Sequence, residues 1–234
     1  MCGRYSQTKP LGQLRKQFPF AQSEPQWLPR FNIAPSQEGM VIVNDGIGTL
    51  KLMRWGLVPF WAKEESIGHK MINARAETLA EKPAYRDAFK KKRCLILADG
   101  FYEWKKAGGA RLPHRFVMSN REPFAFAGLW DSWKRQDDAE LKTFTIITTT
   151  SNDICRTVHD RMPAILDGAH YEQWLDPRVS EVTELAPLLR PYVSESMQCY
   201  QVSTLVNNPC NDDPKCAEPL SMTLDLVNQT TLLL

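Results

Sequence analysis

Apolar and polar positions along this 234-residue chain follow two periods, and the change from one to the other marks out its elements. Leu11, Leu14 and Phe18 recur at helical spacing behind Pro10 and predict a short helix. Residues 19–38 carry four prolines and predict an extended loop. Residues 40–43 and 49–55 flank Asn44-Asp45-Gly46 and predict a hairpin. Residues 76–92 predict a helix ending in Lys90-Lys91-Lys92-Arg93, a run of cations that suits the negative end of a helix dipole. Strands are then expected at 94–98, 101–105, 115–118, 124–129 and 144–149, with Gly108-Gly109 at a turn. Helices over 168–175 and 180–189 and a strand over 198–203 complete the pattern. The expectation is an α+β fold: a mostly antiparallel, barrel-like β core with peripheral helices. Residues 1–220 are read as one domain and 221–234 as a C-terminal tail.

Charge changes this picture little. Lys and Arg total 29 against 27 Asp and Glu, so any basic surface for nucleic acid has to be local. One basic stretch lies at the start, where residues 1–35 hold Arg4, Lys9, Arg15, Lys16 and Arg30 against Glu24. The first ten residues lack the apolar core of a signal peptide, and no apolar run reaches membrane-spanning length. A cytoplasmic protein without membrane partner is expected. Of the six cysteines none forms a CxxC pair, and no His accompanies Cys210 and Cys216. Neither a metal site nor a cofactor is expected. Cys94 reads as a buried strand residue.

Four short segments hold polar residues where a core would want apolar ones. They are Met1-Cys2-Gly3-Arg4, Asn73-Ala74-Arg75-Ala76-Glu77-Thr78, Ala98-Asp99-Gly100-Phe101-Tyr102-Glu103-Trp104 and Val158-His159-Asp160-Arg161-Met162-Pro163. Asn32-Ile33-Ala34-Pro35 is a weaker fifth. In this order and at these separations they resemble the SOS response-associated peptidase (SRAP) family of abasic-site processing proteins, over nearly the whole chain from Cys2 to about Pro219. The resemblance implies an abasic-site sensor that crosslinks to damaged single-stranded DNA during the DNA damage response. The resemblance leaves room for lyase activity, and for removal of Met1 either by an aminopeptidase or by the protein itself. Expected partners are single-stranded DNA and single-strand/double-strand junctions with abasic sites. The protein would be a monomer, nucleoid-associated when bound to DNA.

The residue chemistry agrees. Loss of Met1 leaves Cys2 with an α-amine and a thiol on adjacent carbons. An α-amine has a pKa near 7.7–8.0, about 2.5 units below lysine, so far more of it is neutral and nucleophilic near pH 7. It can form a Schiff base with the aldehyde of a ring-opened abasic sugar, and the thiol can close on that carbon to give a thiazolidine. Position alone also fits a small second residue that merely permits Met removal. Glu103 matches the family's proton-shuttling acid; by alternation alone it is equally an exposed strand carboxylate. His159 matches the active-site histidine, against a packing role. Asn73 can orient Cys2 or cap a turn. Arg4, Arg75 and Arg161 suit phosphates or structural pairing. Asn32, Pro35 and Trp104 are grouped with them as DNA contacts. Trp55 and Trp61 are candidates for base stacking, while Trp130 and Trp133 are read as packing. His69, His114 and His170 are read as surface or packing residues. Three rival readings stand beside this one: an N-terminal-nucleophile amidohydrolase, a cysteine peptidase using Cys2 and His159, and a non-covalent single-strand binding module.

Overall fold

The computed structural model describes residues 2–22, 26–45 and 48–220. The expected tail, 221–234, and Gly46 of the expected hairpin turn lie outside these. Twelve strands run along the chain: β1 (Tyr5–Gln7), β2 (Arg30–Ile33), β3 (Glu38–Val43), β4 (Thr49–Trp55), β5 (Asn73–Arg75), β6 (Arg93–Ala98), β7 (Gly100–Ala107), β8 (Ala110–Met118), β9 (Phe124–Lys134), β10 (Glu140–Thr150), β11 (Arg161–Pro163) and β12 (Met197–Gln201). Five short helices accompany them: α1 (Leu11–Gln17), α2 (Arg86–Lys91), α3 (Asp153–Arg156), α4 (Tyr171–Leu175) and α5 (Val182–Leu185).

The expected α+β, barrel-like fold is present. Strands β10, β4, β3, β6 and β9 pair in that order, and β9 pairs back onto β10, which closes a five-strand barrel. All its pairs are antiparallel except β4–β10. A second sheet, in the order β12-β8-β7-β1-β2, is antiparallel throughout. Alternation along the wall strands explains why both faces are apolar. Met40, Ile42, Leu95, Leu97, Ala125 and Ala127 join one core with Phe18, Phe89 and Trp174 from the helical side. Val41, Val43, Ile96, Phe124, Phe126 and Phe144 face the other way and pack with Tyr5, Phe101 and Phe116 of the second sheet. The tight β7–β8 hairpin turns on Gly108 and Gly109, whose φ of +54° and +84° favour glycine.

The chain departs from the expected elements at 76–92 and 19–38; β1, α3 and β11 are also outside the expected set, and of the helix expected over 180–189 only Val182–Leu185 is α-helical. Residues 76–92 are not one helix: β5 and a 3-10 turn at Ala76–Thr78 come first, and only Arg86–Lys91 is α-helical. Pro83 accounts for the break, since it lacks an N–H and pushes Lys82 away from the α region. The expected loop over 19–38 contains β2, which Tyr5 holds by pairing with Ile33. Arg93 is also more than a cation near a helix end. It is fully buried and donates to the carbonyls of Phe89, Lys90, Trp174, Asp176 and Val179, at 2.6–3.0 Å. Burial lowers its pKa to about 10. It thereby caps the end of α2 and ties it to α4. Arg93→Lys keeps the charge but cannot span this fan of acceptors. We expect it to destabilise the protein by about 2 kcal/mol or more, read as a lower urea midpoint; an unchanged midpoint would show that the fan is not needed.

Candidate active site

The N-terminal segment reaches the site because β1 is stitched into the second sheet. Tyr5 pairs with Phe101, Ser6 pairs with Gly100, and the Tyr102 N–H donates to the Arg4 carbonyl at 2.9 Å. That register, carried back along the chain, sets Gly3 across from Glu103. Asp99 secures the join: it accepts from the Ser6 hydroxyl at 2.6 Å and from Arg115 at 3.0 Å. Gly100 is required there, because a Cβ would lie 2.6 Å from the Arg115 Nε. The Asp-Gly of Ala98-Asp99-Gly100 is therefore structural, and the chemistry of that segment rests on Glu103.

Cys2 is fully buried. Its carbonyl accepts a hydrogen bond from the Asn73 Nδ2 at 2.7 Å, and its Sγ lies 3.7 Å from the Arg4 carbonyl oxygen. The Asn73 Oδ1 is buried with no hydrogen-bond partner among the described residues. Burial pushes the Cys2 thiol far above its ordinary range, and the charge of Glu103 pushes the same way. Glu103 is only 5% exposed, which removes the exposed-strand alternative. Burial raises its pKa, and the positive charge available to His159 opposes that shift. Cys2, Glu103 and His159 thus share one electrostatic neighbourhood.

The end of β10 supplies the frame. Past the barrel, Ile146–Thr148 pair with β5, and Thr148–Thr150 pair with β11. Asn73 and Arg161 are consequently held either side of one strand. His159 sits in the turn between α3 and β11, where its N–H donates to Cys155 at 2.9 Å and its carbonyl accepts from the Ser151 hydroxyl at 2.6 Å. Its Nδ1 accepts from the Arg161 N–H at 3.0 Å, with an Asp160 oxygen 2.9 Å away. The backbone donor favours a proton on Nε2 and the Asp160 carboxylate one on Nδ1, so the two neighbours pull the tautomer in opposite directions.

The arginines divide. Arg4 points its Nη1 inward to Asn32 Oδ1 at 2.8 Å and the Val206 carbonyl at 2.6 Å, while its guanidinium lies 5.8 Å from the Trp104 ring centre. Gly3, Arg4, Trp104, Arg111 and Asn207 line a cleft of about 390 Å³, and Asn207 accepts the indole N–H of Trp104 at 2.6 Å. Arg75 is exposed. Arg161 makes a two-pronged ion pair with Glu77. Asn32 is fully buried, with its amide donating to the Val206, Asn208 and Asn211 carbonyls. Its place is behind Arg4, and it has no surface to offer DNA. Pro35 is half-buried beside Ser36.

The tryptophans also separate. Trp55 is fully buried and parallel to Phe144, so it cannot stack on a base; its strand position places it in the core shared with Tyr5. Trp61 is 49% exposed. Trp130 and Trp133 pack and donate to Asn44 and to the Ala62 carbonyl. His69 is exposed, and its Nδ1 lies 3.2 Å from the Ser36 hydroxyl; His114 and His170 are half-buried. Sequence reasoning missed Arg111, Asn207, Thr148 and Cys155. Only Arg111 left a signal, since pairing across Gly108-Gly109 sets it opposite Lys106. Among the described residues no group of His, Cys, Asp or Glu is arranged to hold a metal, and no helix is long and apolar enough to cross a membrane.

Comparison with known proteins shows which proteins this chain is similar to. The family model described as SOS response associated peptidase (SRAP) matches residues 1–209. The abasic site processing protein YoqW of Bacillus subtilis (strain 168) is 45% identical over 222 residues, covering 93% of this chain and 99% of its own. The abasic site processing protein HMCES of Gallus gallus is 33% identical over 266 residues, covering 95% of this chain and 79% of its own. A crystal structure of a protein from Bacteroides thetaiotaomicron superimposes with a TM-score of 0.85 at 28% identity, covering 94% of this chain and all of that one.

The raised pKa of Glu103 has a consequence for stability. The folded state holds its proton more tightly than the unfolded state, so the wild type loses stability as pH rises above the ordinary glutamate pKa. Glu103→Gln carries no such charge. Its Tm relative to wild type should therefore rise between pH 4 and pH 8; a difference that stays flat or falls would contradict the burial of an ionisable carboxyl here.

Proposed function

This chain belongs to the SOS response associated peptidase (SRAP) family, and on that premise we propose that it processes abasic sites by capturing them covalently on Cys2 in single-stranded DNA. The observation that carries this reading is the clamp on Cys2: its carbonyl is fixed by Asn73, and its thiol lies in the field of the buried Glu103. The names of the relatives, which describe abasic site processing, support the substrate class.

Removal of Met1 turns the Cys2 nitrogen from an amide into an α-amine. The Asn73 amide, whose Nδ2 holds the Cys2 carbonyl, has its Oδ1 buried and lacking a partner among the described residues, an acceptor suited to that amine. The neutral amine adds to the C1′ aldehyde of the opened sugar and gives a carbinolamine. Protonated Glu103 gives its proton to the departing hydroxyl; water leaves and an iminium forms. The Cys2 sulfur then bonds to C1′ while its proton passes to the Glu103 carboxylate. The balance is one aldehyde and one cysteine converted to a thiazolidine and one water, with Glu103 returned to its starting state. His159 can donate to a sugar hydroxyl from Nε2 in the form that carries its proton there. A thiol held well above its ordinary pKa is a poor fit to a peptidase that needs a resting thiolate. It is no obstacle when the amine attacks first.

The DNA strand is assigned to the cleft of Arg4, Trp104 and Arg111, with Arg75 beyond the sugar and Trp61 available at the surface. A cation beside an aromatic face suits a phosphate and an unpaired base. The protein acts as a monomer in this account.

Mature protein mixed with a single-stranded oligonucleotide bearing one abasic site should give an adduct that survives heating in detergent without reductant. Cys2→Ala should abolish it, and an undiminished adduct would remove Cys2 from the reaction. Glu103→Gln should slow crosslinking by about 10²- to 10⁴-fold while binding to a non-reactive sugar analogue stays near wild type. The wild-type rate should fall at low pH as the amine protonates, and at high pH as Glu103 loses the proton it must give. A Glu103→Gln rate equal to wild type across pH 5–9 would remove the acid from the mechanism.

A further inference from the structure

Of the three site arginines Arg4, Arg75 and Arg161, it is Arg161 whose guanidinium already holds a carboxylate of the same chain. Its Nη1 donates to Glu77 Oε1 at 2.6 Å and its Nη2 to Glu77 Oε2 at 3.0 Å. This is the side-by-side geometry in which a guanidinium grips a phosphate. Nη2 is further held by the Thr148 carbonyl at 2.6 Å. The two partners are unequally fixed: the Arg161 side chain is 13% exposed and that of Glu77 48%. Arg161 is the anchored half and Glu77 the half able to swing away. Hydrogen bonding from Arg161 is the main reason the Glu77 carboxyl titrates below its ordinary range, and the charge of Arg75 contributes in the same direction. Glu77 therefore stays ionised at neutral pH in the grip of Arg161.

We propose that Glu77 is a specificity-determining residue: its carboxylate fills the anion site of Arg161, so a DNA phosphate can take that site only by displacing it. This rests on the proposed capture of abasic DNA and extends it. A protein that locks onto damage by a covalent bond has no need of tight reversible binding, and strong affinity for any single strand would sequester it on intact DNA. Glu77 lowers the reversible affinity for backbone without touching the reacting atoms. Retention is then left to the chemistry at Cys2, which only an aldehyde can complete. Glu77 also links the segment carrying Asn73 to the segment carrying His159, so the residue that weakens binding to intact strands keeps the catalytic segments in register while no DNA is bound.

The test uses the mature full-length protein, Glu77→Gln and, as a charge control on an exposed neighbour, Glu81→Gln. Gln keeps one acceptor for Arg161 and removes the charge. Affinity for an undamaged single strand is measured over a salt series, together with crosslinking to abasic oligonucleotide in excess undamaged competitor. Glu77→Gln should bind the undamaged strand about two- to fivefold more tightly. Its log–log salt slope should be steeper by up to about 0.7, the value of one phosphate contact on a single strand. Its crosslinking should be inhibited by competitor at lower concentration, while Glu81→Gln should match wild type. Equal or weaker binding by Glu77→Gln overturns the inference, as does an equal gain in Glu81→Gln, which would reduce the effect to net charge. A melting curve for Glu77→Gln separates weak binding through misfolding from weak binding in a folded protein; if the variant is unfolded, Glu77→Ser, which also removes the carboxylate, is put to the same criteria. Wild-type crosslinking reports on the capture mechanism separately: its absence would overturn the covalent reading, whereas its presence with no gain for Glu77→Gln would overturn only the role of Glu77.

Discussion

Strand β10 is the constraint on which the site depends. A closed barrel consumes both edges of each wall strand, and β10 gives Glu140–Ile146 to β9 and Thr143–Phe144 to β4. It continues past that closure, and its last residues carry free pairing capacity beyond the rim. β5 takes one edge and β11 the other. Asn73 and the turn holding His159 thereby become fixtures of a rigid wall, although each belongs to a segment of only a few residues. Thr148 couples the two directly, through its hydroxyl to Ala74 and through its carbonyl to Arg161. The second sheet approaches the same rim with Glu103 on β7, and the pairing of β1 on β7 draws the N-terminal segment in beside it.

Such placement has an energetic cost that bears on chemistry. A carboxyl and a thiol buried side by side both favour their neutral forms, because each would bear an uncompensated charge in an apolar setting. A neutral acid suits a step in which hydroxyl departs as water, and a neutral thiol suits late attack on a carbon already made electrophilic. The polar groups that rim this pocket are matched: Asn32 steadies Arg4, Asn207 steadies Trp104, and Glu77 holds Arg161. The site is apolar beneath and cationic at its edge, a division suited to a reacting sugar below and a phosphate backbone above.

Much of the barrel was legible in the chain because period-two alternation is local. The strands at 94–98, 124–129 and 144–149 and the Gly108-Gly109 turn can be seen in windows of a few residues. Closure was less visible, since the β9–β10 and β4–β10 pairs join residues far apart. The helix expected over 76–92 failed on tertiary grounds: Leu79 is drawn into the core and Pro83 interrupts the backbone ladder, which leaves one short helix. The chemistry-bearing segments stood out as polar runs in apolar surroundings, but their internal division of labour did not. Asp99 and Asn32 look as reactive on paper as Glu103 and Asn73. Only packing distinguishes a carboxylate neutralised by Arg115 from one held in an apolar pocket. The same holds for Trp55, whose burial is set by Tyr5 and Phe144 from distant strands.

The central claim is that one residue supplies both bonds to the damaged sugar. The most direct test is peptide mass analysis of the adduct formed between the mature protein and an abasic single strand, digested after treatment with a thiol-alkylating reagent. The account predicts that the N-terminal peptide carries the sugar with the loss of one water and that Cys2 in that peptide resists alkylation, because its sulfur is bonded to C1′. An adduct on a lysine, or an N-terminal adduct whose Cys2 thiol alkylates freely without prior reversal, would contradict it.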